Sequence, residues 1–215
     1  MRARLLTLTI ALASGGLLAA SQAIPPAADL AARIQSHYDT VKDFTADFTL
    51  SHTSSLFPRP VTERGHVKVK KPGRMRWDYT TDQKQQFVSD GTTLYSYFPR
   101  DRYVVVQPIP RGDDVPTALL FLTGRGNLSR DFTAAVPATQ PDGEWQVELP
   151  PKKRQAEYTK LRLDVDRASF TLRGMMVDDG QGGTSTYRFA NLRENQRLTD
   201  KEFGFEIPKG VEIKR

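Results

Sequence analysis

The chain contains no cysteine. That excludes disulfides, and it excludes lipid attachment through a cysteine at a signal-cleavage site. Histidine is scarce as well: His37, His52 and His66 are the only three, they fall on a helix, a loop and a strand of the expected layout, and no HExxH or paired His/Cys spacing joins them. A metal site is therefore not expected. There is no Gly-x-Ser-x-Gly elbow, and the cluster from Gly180 to Gly183 lacks the lysine and the strand-to-helix setting of a phosphate loop. Asp113-Asp114 and Asp178-Asp179 are carboxylate pairs, but both lie in Gly- or Pro-rich turns where aspartate belongs. These absences argue against an enzyme and call for no cofactor. After residue 23 no segment approaches the roughly 20 apolar residues a membrane-crossing helix needs.

What is present begins with Arg2 and Arg4, an apolar run from Leu5 to Ala20, and Ser21-Gln22-Ala23, small residues suited to cleavage. Residues 1–23 read as a secretory signal peptide and residues 24–215 as one mature domain, exported to a bacterial periplasm. The formal charge is +6; Arg2 and Arg4 account for two of the 31 basic residues, which leaves 29 against 25 acidic ones, a net +4. Nucleic acid is a poor partner for an exported protein. The excess suits either plain solvation of a sheet's outer face or attraction to anionic headgroups or an acidic partner.

The stretch from Val67 to Pro99 organises the rest. Val67 and Val69 alternate with lysines, and Met75, Trp77 and Tyr79 alternate with Arg74, Arg76 and Asp78, the period of strands with one apolar face. Pro72 and Gly73 break the ladder, and Ser89-Asp90-Gly91 reverses the chain into Leu94 to Phe98, so the reading is an antiparallel meander. Before it, Leu30, Ile34, Tyr38 and Val41 make the apolar stripe of a helix that should pack on the sheet, and Phe44, Ala46, Phe48 and Leu50 alternate in the first strand. Residues 51–60 read as a loop. After Val104, prolines 108 and 110 end a strand, and the nearly all-apolar 117–122 reads as a two-turn helix that is either buried or covers an apolar cavity. Further strands are expected around 131–135, 145–149, 159–165, 170–178, 184–192 and 203–208. The total, ten or eleven strands with two or more helices and no strand-helix alternation, indicates a mainly β (α+β) antiparallel fold.

Lys71-Pro72-Gly73-Arg74-Met75-Arg76-Trp77, Val88-Ser89-Asp90-Gly91, Leu94 to Pro99, Phe44 to Phe48 and the closing 203–211 together resemble the LolA family of periplasmic outer-membrane lipoprotein carriers. The resemblance implies a strongly curved antiparallel sheet forming an incomplete barrel, closed by a lid of short helices over a hydrophobic cavity for acyl chains. It implies Phe44, Phe48, Val67, Val69, Met75, Trp77, Leu94 and Tyr97 as cavity lining, with Leu119, Leu120 and Leu122 in the lid. It also implies a monomer that takes acylated lipoproteins from an inner-membrane exporter to an outer-membrane acceptor. The family's arginine before the proline, which resembles a lid latch, is Lys71 here; lysine keeps the charge but not the planar fork of donors. A lipid or lipoprotein sensor, or a glycolipid carrier, on the same scaffold is the competing reading.

Overall fold

The computed structural model describes residues 23–55, 57–109, 124, 126–156 and 158–215. Helix α1 (Ala27–Thr40) buries Leu30, Ala31, Ile34 and Tyr38, and Val41 continues the stripe just past its end. Asp29 sits in its first turn, where a carboxylate suits the helix dipole. The strands are β1 (Asp43–Ser54), β2 (Phe57–Lys70), β3 (Arg74–Tyr79), β4 (Gln86–Asp90), β5 (Thr93–Phe98), β6 (Tyr103–Pro108), β7 (Glu144–Leu149), β8 (Lys160–Asp166), β9 (Leu172–Asp178), β10 (Thr184–Glu194) and β11 (Glu212–Lys214). They form one curved, unclosed sheet in the order β11-β6-β5-β4-β3-β2-β1-β10-β9-β8-β7. All neighbours are antiparallel except β11 and β6, which are parallel. A short helix α2 (Leu128–Asp131), whose Asn127 cap accepts a hydrogen bond from the Arg130 amide, packs beside α1.

Three local expectations change. Residues 51–60 are not a loop, because β1 runs on to Ser54 and β2 starts at Phe57, with Ser54 paired to Phe57. The alternating 203–208 is not a strand: Thr199 and Glu202 make a reciprocal capping box that starts a 3-10 turn over Asp200–Phe203. Likewise 131–135 supplies only isolated bridges, Phe132 to Pro151 and Ala135 to Glu148, which shield the free edge of β7.

Each face of the sheet has its own cover. The inner face, on which α1 lies, gathers Phe44, Phe48, Val67, Val69, Met75, Trp77, Trp145, Val147, Leu149, Leu161 and Leu163 into the main core. The outer face of β2 to β6 is covered by the chain's return after β10. Lys68 pairs with Glu202 at 2.9 Å and Lys70 with Asp200 at 2.6 Å, so part of the basic row is neutralised rather than bare. Phe203, Val88 and Val104 are buried there, and the Phe205 ring lies against Tyr95 and Tyr97. Asp43, buried at the start of β1, holds this return by accepting from the amides of Gln196 and Leu198. Among the described residues no helix is long and apolar enough to cross a membrane.

Candidate functional site

The register decides which side chains share the inner face. Phe44 pairs with Val69 and Val69 with Met75; Ala46 pairs with Val67 and Val67 with Trp77; Met75 pairs with Ser89 and Ser89 with Leu94. Seven of the eight expected lining residues therefore lie on one surface: Phe44, Phe48, Val67, Val69, Met75, Trp77 and Leu94. Tyr97 does not. It is three residues from Leu94, an odd offset in a period-two strand, and it points to the outer face, where its ring centroid is 5.6 Å from that of Phe205. This corrects its assignment to the cavity.

Within the inner face, depth separates core from accessible surface. Met75 is 5 % exposed and Trp77 8 %, and both are core. Leu94, Tyr79, Phe87 and Tyr187 are half-buried. The rings connect into one series. Phe48 lies 5.0 Å from both Trp77 and Tyr79, Tyr79 is 5.8 Å from Phe87, Phe87 is 6.0 Å from Phe98, and Phe98 stacks on Tyr103 at 4.7 Å. On the other side Trp77 reaches Tyr187 at 5.4 Å and Phe189 at 6.3 Å. Edge and tilted geometries dominate, as quadrupole electrostatics favours, so the belt is rigid yet apolar on its open side. Tyr79 is expected from its alternation with Met75 and Trp77, whereas Phe87, Phe98, Tyr103 and Tyr187 are not among the expected lining residues, although the alternation around Phe87 and Phe98 carries the signal. The cover is uneven: α1 contacts α2 and β7 and meets Phe44 on β1 through the Tyr38 ring, while Phe87, Leu94, Phe98 and Tyr103 on β4 to β6 keep partial exposure.

The Lys71-Pro72-Gly73 corner closes one end of this surface. The buried Ser89 hydroxyl donates to the Gly73 carbonyl at 2.8 Å and accepts from the Gly91 amide at 3.1 Å, which locks the corner to the Asp90-Gly91 turn. Lys71 reaches back to α1: its amine donates to the Tyr38 carbonyl at the helix end and lies 3.5 Å above the Tyr38 ring centroid. A cation there complements the helix's negative pole. A cavity of about 560 Å³ between Asp39, Val41, Asp43, Lys70, Pro72 and Arg197 opens beside it. The methylene stem of Lys71 presses on Gly124, whose φ of +74° and lack of a side chain permit the approach. Leu119, Leu120 and Leu122, the expected lid, lie outside the described residues. Among the described residues no group of three potential metal ligands assembles; the histidines pair instead with Glu194, Ser185 and Asp47.

Burial pushes the Lys71 amine down to about 8, against the pull of Asp39 and Glu194. The unfolded chain keeps this proton until pH is near 10.5, whereas the folded chain releases it from about 8, so stability rises with pH between those values. The amine is partly solvated, which limits the gain to roughly 1 kcal/mol. Urea unfolding at the two ends of that window should show this gain in the wild type and not in Lys71→Met; an equal change in both would attribute it elsewhere.

A family model described as outer membrane lipoprotein carrier protein LolA matches residues 39–206. The outer-membrane lipoprotein carrier protein of Methylococcus capsulatus is 32 % identical over 184 residues, covering 84 % of this chain and 85 % of that protein. The protein of the same name from Chromohalobacter salexigens is 27 % identical over 205 residues, 95 % of this chain and 96 % of its own. Among solved structures, an uncharacterized conserved protein from Thermus thermophilus superposes with a TM-score of 0.54 at 11 % identity, over 87 % of this chain and 98 % of that one, which establishes a shared fold. With a match that spans most of its length, and an unclosed sheet whose inner face is lined by a continuous aromatic belt, the chain belongs to the LolA family of outer membrane lipoprotein carrier proteins.

Proposed function

We propose that this protein is a periplasmic, non-enzymatic carrier that receives acylated lipoproteins from an inner-membrane exporter and delivers them to an outer-membrane acceptor. The observation that carries the reading is the aromatic belt of the inner face, packed under helices at one end and half-buried from Tyr79 to Tyr103 at the other. A globular protein rarely leaves so many connected rings partly open unless something apolar covers them. Acyl chains suit such a surface: each buried methylene is worth about 0.8 kcal/mol, enough to hold a chain without making release impossible. Leu119, Leu120 and Leu122 enter this reading as the lid, and Lys71 as the latch that ties the end of α1 to the backbone at Gly124.

The test is a photocrosslinking residue placed in intact cells at Leu94, on the inner face, and in a parallel strain at Tyr97, on the outer face of the same strand. Mass spectrometry of the adducts should find acylated lipoproteins joined to position 94 and not to position 97. Free lipid alone at position 94 would favour a lipid shuttle or sensor, and equal labelling at both positions would remove the inner face from consideration.

A further inference from the structure

The inner face changes character along β1. At one end Phe44 has Glu194 beside it on β10, held by His37; the Phe48 row is apolar, between Gly65 and Phe189, but the next row is not. Leu50 pairs with Glu63 on one side and with Tyr187 on the other, so a carboxylate and a phenol stand abreast on the same surface. Tyr79, paired with Gly65 on β2, completes the group: its ring lies 5.0 Å and that of Tyr187 6.3 Å from the Phe48 ring, so both phenols flank the same position on the inner face. Burial pushes both phenols above their usual range, so they stay protonated and retain a donor. Glu63 is held by the side-chain amide of Gln85, which donates to it at 3.2 Å. The following row is polar again, with His52 and Ser185 at 3.0 Å. A hydroxyl pair and a carboxylate thus terminate an otherwise aromatic surface.

Resting on the reading that this surface takes acyl chains, we propose that Glu63, Tyr79 and Tyr187 form a headgroup subsite that accepts the uncharged, amide-bearing head of an acylated peptide and rejects anionic phospholipids. The chemistry is complementary. A phenol O–H donates to an ester or amide carbonyl, and the carboxylate accepts an amide N–H. A lipid phosphate carries no donor for Glu63 and places a like charge beside it in a partly desolvated setting, where repulsion is screened less than in water. An apolar surface passing between phospholipid membranes needs such an element against the wrong ligand, because acyl chains alone do not distinguish the two.

The experiment compares the mature protein with Glu63→Gln, Glu63→Asp and Tyr187→Phe. The probes are a synthetic N-acyl, S-diacylglyceryl cysteine peptide with neutral following residues, and fluorescent phosphatidylglycerol offered in phosphatidylcholine vesicles. The wild type should favour the peptide, Glu63→Gln should shift the preference toward phosphatidylglycerol about tenfold, and Glu63→Asp, which keeps the charge, should restore most of it. Tyr187→Phe should weaken the peptide about fivefold by removing a donor. An unchanged preference in Glu63→Gln, with both probes still bound, overturns the subsite and leaves the carrier reading standing. Failure of the wild type to bind either probe overturns both together.

Discussion

Replacing Gly65 by alanine should cost about 3 kcal/mol of stability, an overpacking penalty at the upper end of the usual range. A methyl group built there would stand 2.2 Å from the Asp78 carbonyl oxygen and 2.7 Å from two carbons of the Phe48 ring. Neither neighbour yields cheaply. The carbonyl belongs to β3, directly across the ladder from β2, and Phe48 is held edge-on between Trp77 and Tyr79. Gly65 is therefore the gap in β2 through which the Phe48 ring crosses to meet β3. For a domain of this size the loss corresponds to a melting point lowered by roughly 6–12 °C. Calorimetry of Gly65→Ala measures it directly. A shift within about 2 °C would mean that β2 and β3 separate easily at this point and that the ring series is looser than its geometry.

Gly65 also marks the limit of what the chain discloses by itself. The alternation of Val67, Val69, Met75 and Trp77 was legible because each step keeps the same face, and those four do lie together in the core. A glycine carries no periodic signal, so its use as a passage for a ring from another strand was not. Tyr97 shows the same limit from the other side. The family resemblance implied the cavity, while its odd offset from Leu94 already placed it on the opposite face. The outer face then drew its aromatic residues from a distance: Phe203 and Phe205 alternate as a strand would, yet they cap Val88, Val104, Tyr95 and Tyr97 because the chain after β10 returns across the sheet, pinned by Asp43 and by Lys68 and Lys70. Local pattern marked strands and their two faces. Which face each return segment covers depends on contacts more than 100 residues apart in sequence, such as Lys68 with Glu202, and those leave no local trace. Glu63 was passed over although its even offset from Val67 puts it on the apolar face, since a single acid near the start of a strand looks like ordinary solvation.

A pair of substitutions on neighbouring strands separates the two faces by function. Phe87→Asp should reduce affinity for a triacylated peptide by about 100-fold or more, whereas Tyr97→Ala should lower stability by about 1–2 kcal/mol and leave that affinity within about twofold. Phe87 sits on the inner face opposite Trp77, between the rings of Tyr79 and Phe98, and is half-buried. An acyl chain laid along the belt would cover its remaining surface. Removing that contact forfeits roughly 1.5–3 kcal/mol, and a carboxylate in its place must lose solvation when the chain arrives. Because the ring is not fully enclosed, the free protein can leave the new carboxylate in water, so the penalty falls on binding rather than on folding. Tyr97 contributes to the cap on the other side, and its truncation removes the contact with Phe205 while touching nothing on the belt. The two measurements, peptide affinity and urea stability, should therefore move in opposite proportion in the two variants. If Phe87→Asp binds the acylated peptide as the wild type does, the belt is simply core and the acyl chains lie elsewhere; if Tyr97→Ala loses binding to the same degree, the return segment on the outer face takes part in holding cargo.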